Sequence, residues 1–125
     1  MLDKKLLEVL TSPPDAAVAI VTQGKDGPHV VNSWNSYAQI TEEDKILFPA
    51  GRRNETEQNI RANNRVKRRK CNRKGQGISD KGTGFLVIGT AEFAAKGPDY
   101  DTVKAKFPWA RAALAIKVES AEQTL

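Results

Sequence analysis

Groups able to do acid–base, nucleophilic or metal chemistry are scarce in this 125-residue chain. His29 is the single histidine and Cys71 the single cysteine, so the chain can form neither an internal disulfide nor a cysteine-rich metal site. His29 follows a turn and precedes a strand, a place that suits a structural or solvent-facing side chain better than a catalyst. No HExxH, paired-cysteine or P-loop pattern occurs. "GTGF" at 82–85 is too short for a dinucleotide fingerprint, and it opens a strand rather than a helix. Cys71 stands among Arg and Lys, a setting that favours a thiolate when exposed, and a redox-sensitive thiol is the lesser reading of it. No catalytic and no metal-ligating residue is expected.

Binding chemistry is better supplied. In "VNSWNSYAQI", Asn32, Ser33, Trp34, Asn35, Ser36 and Tyr37 set amides and hydroxyls beside two large rings, late in a strand. One reading is an edge strand with a solvated face and core aromatics. The other is a site for a planar heteroaromatic ligand, which needs apolar surface for its faces and hydrogen bonds for its rim. A phosphate on such a ligand would want a helix N-terminus nearby. "GRRNETE" supplies one, with Arg52, Arg53 and Thr56 as donors.

The chain carries 20 basic and 15 acidic residues, a formal charge of +5. Seven of the basic residues fall in 65–74, within "RVKRRKCNRKG", and the remainder holds 13 basic against 15 acidic. A protein that tracks phosphates spreads its positive charge over a face or several elements. One basic segment on an otherwise slightly acidic chain makes nucleic-acid binding a remote alternative. No run reaches the roughly 18–20 apolar residues of a membrane span, and "MLDKKLLEVL" is too short and charged for a secretory signal. A cytoplasmic protein is expected, with residues 1–125 forming one domain.

The elements that would position these groups follow from apolar period and turn residues. Residues 2–10 have helical spacing and are stopped by the prolines of "TSPPD". "AAVAIVTQG" reads as a buried strand, "KDG" as a hairpin turn and "PHVVNSWNSYAQI" as the return strand. "ILFPAG" is a third strand with Pro49 near its end. "NETEQNIRANNRV" reads as a helix, Asn54 as N-cap and Glu57 completing a capping box. After the basic stretch come a long strand from "GTGFLVIGTAEFAAKG", a helix between Pro98 and Pro108, and a last strand, "ARAALAIKVES". Hairpins dominate, so a largely antiparallel, mainly β fold is expected, a small Greek-key barrel with a few short helices.

"VAIVTQGKDGPHVVNSWNSY", "GTGFLVIGTAEF" and "KFPWARAALAIKVESAEQTL" resemble the small FMN-binding proteins of sulfate-reducing bacteria, members of the pyridoxamine-phosphate-oxidase-like split-barrel flavoproteins. The likeness runs nearly end to end. It implies a six-stranded antiparallel split β-barrel, a homodimer, and one FMN held non-covalently per subunit near the dimer interface. It also implies that Asn32 through Ser36 line the flavin, with Trp34 nearest the ring and Tyr37 close by. Pro49, Ala50 and Gly51 match a strand end that passes the ring, Trp109 an aromatic near it, and Leu125 a leucine arriving from the partner chain.

Two departures stand out. The family pattern "GGMxKTE" is here "GRRNETE", which puts Glu55 where a lysine meets the phosphate. Binding then weakens unless Glu55 turns away and Arg52 or Arg53 takes over; Thr56 still matches. The basic stretch occupies the place of an apolar barrel strand. The expectation is a distorted or frayed strand with its basic stems snorkelling outward, in which apolar residues in place of Lys67, Arg69 and Cys71 would raise the melting temperature. Matching flanks around an unmatched middle of constant length also fit a compensated frameshift, which in-frame codons in the source gene would exclude. The resemblance implies a flavoprotein of electron transfer, with redox partner proteins unspecified. A flavin reductase or a pyridoxamine-phosphate-oxidase-like oxidoreductase is the enzyme alternative; oxidation of NAD(P)H with added flavin separates the two.

Overall fold

Ala17–Gly24 (β1) buries Val18, Ile20 and Thr22 in strict alternation, the period of a strand with one face on a core. It turns through Lys25 and Asp26 into Gly27–Trp34 (β2), and Gly24 pairs with Gly27 across the turn. Of the expected Asp-Gly pair only Gly27 takes a positive φ, +120°, because a glycine bears that backbone without the clash of a β-carbon. The structure is a computed structural model, and it describes residues 4–11, 15–51, 54–76 and 81–124.

The return strand is shorter than its apolar pattern predicts. A 3₁₀ turn at Asn35–Tyr37 ends β2, and the chain resumes as the two-residue strand Gln39–Ile40 (β3) at the other edge of the sheet. Asn35 makes the break. Its Nδ2 donates to Leu10 O at 3.0 Å, and its Oδ1 accepts from Ala16 N at 2.6 Å. The sheet therefore has seven strands among the described residues rather than six. Lys45–Ala50 (β4) follows, then Asn54–Ala62 (α2), Arg65–Gln76 (β5), Lys81–Ala94 (β6), Pro98–Lys106 (α3) and Ala112–Gln123 (β7); the helix Lys4–Thr11 (α1) precedes them all. The order β2-β1-β5-β6-β7-β4-β3, antiparallel throughout, curls into a half-barrel.

Helix α2 ends at Ala62, four residues before the expected stop, because the Asn63 carboxamide accepts the Arg65 N–H at 3.1 Å and turns the chain into β5. The last strand runs on through Gln123, pairing Ala121, Glu122 and Gln123 with Val87, Leu86 and Phe85. Strand β5 is regular where fraying was expected. It pairs with β1 and β6 in register through Asn72, and the irregularity lies between Asn72 and Gln76. Val66 takes the inward position, 2 % exposed, so alternation sends Lys67 outward. Lys67 is exposed, as expected of an outward basic stem, so an apolar residue at that position would gain no burial. The side chains of Arg69 and Cys71 lie outside the described residues.

The core fills the curl. Leu6, Val9 and Leu10 of α1 pack onto Ile20, Phe48 and Leu114. A second cluster covers the opposite face of β4 and β7, where Leu47 and Ala113 meet Val103 and Phe107 from α3 and its exit. Strand β4 is therefore buried on both faces from Ile46 to Ala50, which explains its unbroken apolar run. Among the described residues no helix is long and apolar enough to cross a membrane.

Candidate functional site

The curl brings the end of edge strand β2 toward the end of β4. Together with the turn after α3 they enclose a cleft of about 310 Å³, lined by Val31, Asn32, Ser33, Trp34, Tyr37, Pro49, Gly51 and Trp109. Hollows of about 460, 490 and 550 Å³ lie elsewhere, but none has a Trp, Tyr or Phe in its wall. The aromatic cleft is the one whose chemistry selects a flat ring.

Its aromatic wall is a linked set. Tyr37 lies 5.0 Å from Phe107 and 6.0 Å from Trp109 between ring centroids, and Phe107 lies 5.7 Å from Trp109, all tilted. Such geometry is favoured by ring quadrupoles and stiffens the wall. Trp34 and Trp109 nevertheless keep 47 % and 56 % of their surface exposed, so each offers a face to something outside the subunit's own packing. At Gly51 a β-carbon would stand 3.4 Å from the Trp109 ring. That is ordinary van der Waals contact, so Gly51 borders the indole without the space there demanding a glycine.

The polar residues of "NSWNSY" divide by role. Ser33 is buried, and its hydroxyl has no hydrogen-bond partner among the described residues. Asn32 is exposed on the cleft wall. Asn35 spends its amide on Leu10 and Ala16, and Ser36 donates from Oγ to Asp15 at 2.9 Å while its N–H reaches the same carboxylate at 3.1 Å. Asn35 and Ser36 thus shape the turn behind Trp34 instead of forming the cleft wall. Ala50 is fully buried beneath it. Thr56, in the first turn of α2, is also fully buried, with its hydroxyl unpartnered among the described residues. Arg52, Arg53 and Leu125 lie outside the described residues.

Glu55 does turn away. Its Oε2 lies 3.4 Å from His29 Nδ1 on β2, and its side chain is 68 % exposed. This gives the single histidine a place in the fold and draws the negative charge toward the β1–β2 hairpin. Glu57, expected to close a capping box, is held instead by two guanidiniums: Arg111 Nη1 at 2.8 Å from Oε1 and Arg61 Nη2 at 2.7 Å from Oε2. The Arg111 hydrogen bond, with Arg61 adding to it, outweighs partial burial and keeps the Glu57 carboxyl below its ordinary range. Arg111 also donates from Nε to Gly51 O at 2.6 Å, and its backbone N–H donates to Ala50 O at 2.9 Å. Sequence reasoning missed Arg111 and Phe107. Phe107 was legible as an apolar stop to α3, whereas nothing in the sequence links Arg111 to Glu57. Among the described residues no three His, Cys, Asp or Glu side chains cluster as metal ligands.

Comparison with known proteins agrees with this picture. The chain is 46% identical over 125 residues, all of both sequences, to the FMN-binding protein of Nitratidesulfovibrio vulgaris strain Miyazaki F. No family model matches it. Among solved structures it is similar to Group A Streptococcus HupZ, with a TM-score of 0.79 at 16% identity, covering 99% of this chain and 94% of that one. An FMN-binding protein from Syntrophomonas wolfei gives 0.69 at 12%, covering 94% and 82%. A candidate pyridoxamine 5'-phosphate oxidase from Lactobacillus delbrueckii gives 0.69 at 17%, covering 97% and 93%. At such identities the structural likenesses speak for the fold.

Proposed function

The chain belongs to the family of the small FMN-binding protein of Nitratidesulfovibrio vulgaris, and from that membership we propose that it holds one FMN non-covalently in the aromatic cleft and serves in electron transfer. The observation that carries this reading is the pair of buried, unpartnered hydroxyls at Ser33 and Thr56. A buried hydroxyl left unpaired costs about 1–3 kcal/mol, and a ligand with acceptors at its rim and a phosphate at the α2 N-terminus relieves that cost. The aromatic wall, with Trp34, Tyr37 and Trp109 around the cleft, fits the ring of the same group.

Bound FMN would supply one- and two-electron redox chemistry; the protein need only bind, orient and shield it. In this reading Trp34, Tyr37 and Trp109 cover the ring, and Pro49 and Gly51 present backbone to it. Ser33 and Asn32 serve its polar rim, and Thr56 donates to the phosphate at the positive end of α2. Ala50 anchors the strand end from below, while Asn35 and Ser36 hold Trp34 in place. Glu55, paired with His29, leaves the phosphate unopposed by its charge. No acid–base residue is required, which suits a chain with one histidine.

A second copy of the chain completes the site in this proposal. Trp34 and Trp109 at the cleft are 47 % and 56 % exposed, and Val30 earlier on β2 is 55 % exposed; large apolar groups left this open favour a partner surface. Light scattering after gel filtration should give twice the 13.7 kDa chain mass; a monomer at all concentrations excludes the dimer. The test of the cofactor is the visible spectrum of the purified protein. A yellow preparation that releases FMN on denaturation supports the reading, and a colourless one that fails to quench added FMN fluorescence sinks it.

A further inference from the structure

We propose that the Glu57–Arg111 ion pair is a positioning couple that sets the distance between the phosphate-binding turn of α2 and the ring cleft, and so selects the phosphorylated flavin over the unphosphorylated one. This rests on the FMN reading above. The two residues are far apart in sequence, and their contact ties the first turn of α2 to the end of β4 and to the segment that follows Trp109. Glu57 follows Thr56 in the first turn of α2. Arg111 follows Trp109 by two residues and binds the end of β4 twice, Nε to Gly51 O at 2.6 Å and backbone N–H to Ala50 O at 2.9 Å. Its Nη1 then reaches Glu57 Oε1 at 2.8 Å.

The planar guanidinium is what makes this a gauge. Nε and Nη1 point from one rigid fork to Gly51 and to Glu57, so the helix turn and the strand end cannot shift independently. Arg111 also lies 6.0 Å over the Phe93 ring, and Arg61 fixes the other Glu57 oxygen at 2.7 Å. Each partner is thereby oriented from a second side. The couple reaches the cleft at one wall residue, Gly51, through the Arg111 Nε hydrogen bond to its carbonyl, and reaches the phosphate turn through the α2 backbone. A Lys at 111 keeps the charge and loses the fork, whereas a Gln at 57 keeps the shape and loses the charge.

The test titrates FMN and riboflavin separately against wild-type protein, Glu57→Gln and Arg111→Lys, following flavin fluorescence quenching, with thermal melts of each protein. The expected result is an FMN Kd raised roughly ten- to hundredfold, the worth of one charge-assisted hydrogen bond to the phosphate. The riboflavin Kd should stay within about threefold, the range of a contact that is not directly lost. Equal weakening of both flavins marks a general loss of structure and overturns the proposal, as does an unchanged FMN Kd. If Glu57→Gln fails to fold, Arg111→Lys decides alone, because it preserves the net charge. Wild-type protein that binds neither flavin refutes the cofactor reading itself, and this inference with it.

Discussion

Thr56 shows how much one atom can decide. Its hydroxyl is fully buried and unpartnered, so Thr56→Val removes an unsatisfied group while keeping its volume. The flavin-free protein should then melt at the same temperature or higher, by up to about 1 kcal/mol, while FMN affinity falls roughly tenfold or more. A lower melting temperature would show that the hydroxyl already has a structural partner. Glu57 and Lys45 set the pH limits. The Arg111 and Arg61 contacts lower the Glu57 pKa from 4.5, so their stabilisation is present above that value and is lost as acid protonates the carboxyl. The hydrogen bond to Asp99 at 2.7 Å raises Lys45 above 10.5, so its contribution is present below that value and disappears as base removes the proton. Thermal melts below pH 4.5 should lose part of their acid slope in Glu57→Gln, and those above pH 10.5 part of their alkaline slope in Lys45→Met. Trp34 and Tyr37 were legible because a flat ligand needs ring surface beside polar groups, whereas Pro49, Gly51 and Trp109 were legible only through the family resemblance. The roles of Asn35 and Ser36 were not, because a carboxamide or hydroxyl serves a ligand or a turn equally well until its partners are known.

Among the elements, β5 separates what pattern reveals from what neighbours impose. Seven basic residues in 65–74 obscure the alternation from which a strand is read, yet β5 pairs regularly through Asn72 because β1 and β6 offer backbone partners on both sides. Its inward anchor is Val66. Val66→Ala should cost roughly 2 kcal/mol, in line with loss of buried methyl groups, whereas Lys67→Ala should stay within about 0.5 kcal/mol as an exposed substitution. Urea unfolding measures both, and a costly Lys67→Ala would place that side chain in the core. By contrast, α3 was readable to its ends, since Pro98 and the Phe107–Pro108 exit fix both termini. The β2 break at Asn35 was hidden, because the side chain ending the strand bonds to α1 and to the residue before β1, a tertiary matter.

For the molecule as a whole, the site is a property of the curl: β2 and β4 lie near opposite ends of the strand order and meet only because the sheet bends. FMN at about a hundred times its Kd should stabilise the protein by about 2.7 kcal/mol, visible as a higher melting temperature that riboflavin reproduces less well. A melt unmoved by FMN would argue against the cofactor. The pairing of β4 with β7 joins residues such as Phe48 and Leu114 across most of the chain. Closing so long a loop before any contact rewards it makes folding slow. During synthesis, β4 emerges with only the two-residue β3 as a strand partner until β7 has left the ribosome. Protection of that nascent strand, by chaperones or by slow expression in the cold, will govern the yield of soluble protein more than any residue of the cleft.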